Sequence, residues 1–158
     1  LPVVSFLLVF FINGMMKISP KQYSAEQSES AVAKLMTAIT LFLMMIYFAM
    51  IKEASEPQQW MFRILPLGFS LLTVFMGNYF AKIQKNFVTG LRLPWTLASD
   101  ENWKRTHRFA GKAYVAAGVI SLITSLIYPA FWISLSAMAA ATISAVVYSY
   151  VYYAKYEN

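Results

Sequence analysis

The side chains best suited to polar chemistry gather in one stretch, GLRLPWTLASDENWKRTHRFAG, from Gly90 to Gly111. It holds Trp95 and Trp103, the cations Arg92, Lys104, Arg105 and Arg108, and His107, the one histidine of the chain. Lys112 follows at once. A lone histidine with no cysteine and no carboxylate cluster beside it does not make a zinc site, which takes three or four protein ligands. No nucleophile, base and base-orienting group stand together either. The absence of cysteine removes disulfides and thiolate chemistry. No catalytic residue, metal site or cofactor is assigned, and His107 reads as a hydrogen-bonding residue at an interface.

What the stretch does offer is cationic and aromatic recognition. Ser99 is a good helix cap, and Asp100 and Glu101 suit the first turn, where the helix dipole favours anions. A helix from Asp100 would carry Trp103, His107, Ala110 and Tyr114 on one stripe. Lys104, Arg108 and Lys112 would follow on the next, with Arg105 beside them. The pattern predicts a helix in the inner membrane interface, its aromatic side toward acyl chains and its basic side on anionic headgroups. Arg92 precedes that helix, and the expectation is a charge-assisted clamp onto Asp100 or Glu101.

The elements that must position these residues are membrane helices. The chain has 158 residues, 59% hydrophobic and 13% charged, whereas a soluble domain is about 45–50% apolar and about 25% charged. A soluble fold of this size cannot hide that excess, so lipid must solvate it. The expected class is an all-α, polytopic bundle forming a single membrane domain over 1–158. Predicted spans are 1–16, 33–51, 60–83, 111–128 and 131–153, with a signature loop over 84–110. Pro129 breaks the last two into a hairpin. The chain opens directly on apolar residues with no Met and no basic region, which leads us to expect a further segment before Leu1.

Basic and non-basic loops alternate along the chain. Seven cations from Lys82 to Lys112 oppose only Asp100 and Glu101. The positive-inside rule therefore places 84–110 and the C-terminus in the cytoplasm of a cell-membrane protein. The formal charge of +6 reads as contact with anionic lipid, not direct contact with nucleic acid. Tyr148, Tyr150, Tyr152, Tyr153 and Tyr156 form an aromatic belt at the inner surface, and Trp60, Phe131 and Trp132 mark the outer one. No ionisable residue falls mid-span, which disfavours a coupled transporter. Pro66 and Gly68 suggest a kink. Small residues at spacing four, Ala113–Ala117–Ser121–Ser125 and Ala137–Ala141–Ala145 with Ser136, Ala140 and Ser144 beside them, suit close helix packing within the hairpin or between copies in a homo-oligomer.

Asn78, Asn86, Gly90, Arg92, Pro94, Trp95, Thr96, Ser99, Glu101, Trp103, Thr106, His107, Arg108, Gly111 and Gly118 together resemble the signature of the SdpI family of bacterial membrane proteins. The resemblance implies six spans in the full-length protein and an extracytoplasmic segment after the first. It implies immunity to a secreted peptide toxin, and signalling in which a cytosolic repressor is held at the membrane. On that basis Asn86, Gly90, Arg92, Pro94, Trp95, Thr96, Glu101, Trp103, Thr106, His107 and Arg108 form the expected partner-binding signature. Lys104, Arg105, Arg108 and Lys112 form the expected anionic-lipid surface. Two alternatives stand beside this non-enzymatic reading. One is a small membrane enzyme with His107 as base and Arg92 or Arg108 holding phosphate; the other is a toxin exporter or channel.

Overall fold

Long apolar runs close their backbone hydrogen bonds internally as helices, the one open-ended solution available in lipid. The computed structural model describes residues 26–55, 59–86 and 89–157, with the isolated positions 3, 7, 10, 11 and 14. Among them the chain is all-α: α1 is Glu26–Ser55, α2 Trp60–Phe80, α3 Pro94–Ala98, α4 Asp100–Ile127 and α5 Phe131–Tyr156. All but α3 contain stretches long and apolar enough to cross a membrane, so this is a multi-pass membrane protein. The predicted span 1–16 lies outside the described residues apart from the isolated positions.

Helix α4 starts where its cap chemistry dictates, with Asn102 N–H donating to Ser99 Oγ at 3.2 Å and Asp100 and Glu101 in the first turn. It then runs unbroken to Ile127. Among the described residues, the non-helical part of the signature is thus confined to 81–86, 89–93 and Ser99. Helix α2 is continuous through Pro66. Its Gly68 is a notch for α1, since a Cβ there would lie 1.9 Å from Met45 Cε.

Glycines set the crossing of α2 and α4. A Cβ on Gly111 would stand 2.8 Å from the Gly77 carbonyl oxygen, and one on Gly118 would stand 2.7 Å from Val74 N. Backbone therefore meets backbone, the close approach that small residues allow between helices in lipid. Helices α4 and α5 pair as a hairpin through Ala117 on one side and Ala141 and Ala145 on the other. Tyr114 Oη and Thr142 Oγ1 lie 2.7 Å apart across it. A buried hydroxyl chain ties three helices: Ser70 to Ser134 at 3.2 Å and Ser134 to Ser125 at 3.3 Å. Ser136 and Ala140 face outward instead. Contacts of Ser99 with Glu157 and of Trp95 with Tyr153 bring the 81–99 segment and the end of α5 to the same end of the bundle. Arg63 and Pro129 border one hollow away from that end.

Candidate functional site

Residues 81–86 and 89–93 have no periodic secondary structure, so their backbone polar groups need other partners. The signature side chains provide them. Past α2, Trp103 Nε1 donates to the Ile83 carbonyl at 2.9 Å. Asn86 then organises a turn, its Oδ1 accepting from Thr89 N–H at 2.7 Å and its Nδ2 donating to Gln84 O at 2.7 Å, as Asn does in turns. Gly90 follows with φ +103°, a conformation that costs other L-residues energy. A Cβ there would also come within 2.4 Å of His107 Nε2. Glycine is required on both counts.

The close approach at Gly90 lets Leu91 N–H donate to His107 Nε2 at 3.0 Å. The other ring nitrogen, Nδ1, lies 2.8 Å from the Trp103 carbonyl oxygen. A proton on Nδ1 and a lone pair on Nε2 satisfy both contacts, which defines the neutral tautomer that this site selects. The imidazole stacks on Trp103 with centroids 4.0 Å apart, and Phe80 lies 5.9 Å away on nearly parallel planes. Thr96 Oγ1 is within 2.8 Å of Leu91 O and accepts from Leu93 N–H at 2.9 Å. Pro94 opens α3 at a first-turn position where its missing N–H costs nothing.

A second set of bonds anchors the segment to α5. Trp95 Nε1 donates to Ser149 Oγ at 3.0 Å, and the indole packs edge-on against Tyr150 and nearly parallel to Tyr153. Asn102 Nδ2 donates to Ser149 O at 3.3 Å and to Glu157 Oε2 at 3.1 Å. Thr106 Oγ1 donates back to Asn102 Oδ1 at 2.9 Å, and Ser99 Oγ donates to Glu157. Satisfied buried networks of this kind rigidify a unique arrangement.

The structure thus divides the expected signature in two. Asn86, Thr96, Trp103, Thr106 and His107 are buried, with Trp103 and His107 each 1% exposed; they hold the segment. Gly90 and Trp95 are half-buried, and Arg92, Pro94, Glu101 and Arg108 are exposed. One expectation is corrected here. The stripe Trp103, His107, Ala110 and Tyr114 does not face acyl chains but is buried in protein, because Leu35, Phe80, Ile83 and Leu91 cover it together with Ala141 and Ala145 of α5. The clamp is also different from the one expected of Arg92: Asp100 pairs with Lys85, and Glu101 pairs with Arg105 at 2.7 Å.

Asn102, Ser149, Glu157 and Lys85 were missed from sequence. Asn102 and Thr106 at spacing four carried a signal, since two polar residues on one face of an apolar helix ask for partners. Glu157, 55 residues from Asn102, carried none.

Comparison with known proteins falls on the same region. Residues 82–153 match the SdpI/YfhL protein family. The buried hydrogen-bonded network that locks residues 83–86 and 89–99 onto α4 and α5 thus lies within the matched stretch. Immunity protein SdpI of Bacillus subtilis (strain 168) is 37% identical over 62 residues. That stretch is 39% of this chain and only 30% of the relative's length. No solved structure matches. The SdpI-family match begins at Lys82 and runs through the lock, the α4–α5 hairpin and most of the tyrosine belt.

Proposed function

We propose that this chain acts as a membrane immunity protein against a secreted antimicrobial peptide toxin, and that the locked segment is its output surface. One observation carries the reading: the SdpI-family match coincides with the segment whose buried lock leaves Arg92, Pro94, Glu101 and Arg108 exposed. In this reading the 81–99 end faces the cytoplasm, in keeping with its excess of cations. Toxin engaged from the outer side favours one arrangement of the bundle, and the exposed edge then holds a cytosolic transcriptional repressor at the membrane. Such coupling requires each ligand to bind one state better than the other. The mechanism is binding, with no bond made or broken by the protein.

The test is survival of toxin-sensitive bacteria expressing the chain, with repressor recruitment read in the same cells. Wild type is expected to protect. Arg92→Ala, at equal membrane abundance, is expected to weaken repressor capture about tenfold, the effect of one charge-assisted contact. Failure of wild type to protect would remove the immunity reading. Full protection and recruitment by Arg92→Ala would remove the segment from the output.

A further inference from the structure

The cations of α4 do not form a featureless basic face. Glu101, Lys104, Arg105, Arg108, Phe109, Lys112 and Tyr148 line a hollow of about 480 Å³ between α4 and α5. Its floor is aromatic: Phe109 and Tyr148 stack in parallel, 4.5 Å between centroids at 4°. Arg105 is fixed at its edge, bonded to Glu101 at 2.7 Å and lying over the Tyr152 ring at 5.2 Å. Arg108 and Lys112 are exposed, one helical turn apart.

The surface below the hollow changes character along the hairpin. Phe109 opposite Tyr148 and Tyr114 opposite Thr142 fix the antiparallel register, which sets Ala116 level with Ala140 and Ala113 level with Ser144. These four are small, and Ala116 and Ala140 are exposed. The surface of α4 and α5 next to the cationic hollow is therefore apolar and of low relief, with Val119, Ile143 and Val147 also exposed on it. A cationic, aromatic-floored hollow beside such an apolar surface has the chemistry of a phospholipid: a phosphate for the cations, a glycerol backbone over the rings and an acyl chain along the helices.

We infer that the α4–α5 hollow is a binding site for an anionic phospholipid, with Arg108 and Lys112 contacting the phosphate. It shares Arg108 with the proposed output edge but does not depend on the toxin or repressor readings. A second hollow on the other side of Lys104 and Arg108, bordered by Lys82 and Lys85, lacks the stacked floor, and it provides the internal control.

The test is native mass spectrometry and lipid titration of the purified protein with phosphatidylglycerol and phosphatidylcholine. Wild type is expected to retain phosphatidylglycerol in preference to phosphatidylcholine. Arg108→Gln with Lys112→Gln is expected to weaken phosphatidylglycerol binding about thirtyfold, as for two near-surface cations. Lys82→Gln with Lys85→Gln removes the same charge and is expected to leave that binding within about threefold of wild type. Ala140→Trp, which adds bulk to the apolar surface beside the hollow without touching charge, is expected to weaken the lipid but not inorganic phosphate. Equal losses from the two double variants would reduce the site to general charge attraction and overturn it. Displacement of the lipid by equimolar inorganic phosphate would make it a free-anion site and overturn the lipid assignment.

Discussion

Gly90→Ala is expected to detach residues 89–93 from α4 while the long helices stay folded. The φ of +103° at Gly90 puts any other L-residue in a disfavoured region, at about 1–2 kcal/mol. The new Cβ also lands 2.4 Å from His107 Nε2, so the Leu91–His107 hydrogen bond must break. An orphaned buried amide costs about 1–3 kcal/mol. Together these losses are on the order of 3 kcal/mol, and they fall on the stretch around Arg92 that the Leu91–His107 bond ties to α4. Trypsin should then cleave rapidly after Arg92 in the variant, with an unchanged far-ultraviolet helix signal. Equal resistance of variant and wild type would show that Gly90 is not needed for the lock.

Trp103 should give the largest loss of stability at a single side chain. It is 1% exposed, stacks on His107 and donates to Ile83 O. Truncation to Ala removes a buried indole, about 3–5 kcal/mol. Trp103→Phe keeps an aromatic ring against the imidazole but leaves the Ile83 carbonyl without its donor, about 1–3 kcal/mol. Thermal unfolding in detergent should therefore rank wild type above Phe and Phe above Ala. A Phe variant as stable as wild type would mean the Ile83 bond contributes nothing measurable.

The all-α membrane class was legible because its signal is long-range and redundant: apolar runs, interface aromatics and polar breaks all agree. The resemblance to the SdpI family was legible for a different reason, since the signature residues sit close together in sequence. The direction in which α4 faces was not legible. An aromatic stripe beside a basic stripe suits a helix lying on lipid and equally a helix covered by its own chain. The choice is made by distant helices, through Leu35, Phe80, Ala141 and Ala145, and by residues 81–93, whose sequence has no periodicity to read. Only Gly90 among them hints at close backbone approach. The anchoring of Asn102 by Glu157 and Ser149 is a contact between distant parts of the chain, and nothing local encodes it. The partners of the carboxylates were misread for a related reason. Lys85 reaches Asp100 because the chain turns back after α2, a path set by Asn86 and Gly90, not by charge pattern.

The central claim is that buried signature residues hold residues 83–99 in one conformation. Hydrogen–deuterium exchange at the Leu91 amide tests it most directly, because its donor bond to His107 Nε2 is the bond that closes the segment onto α4. Exchange is expected to be slow in the wild type and to quicken on the order of tenfold or more in His107→Leu, where the acceptor is gone. A Leu91 amide that exchanges in the wild type as fast as in an unstructured peptide, or at the same slow rate in both proteins, would contradict it.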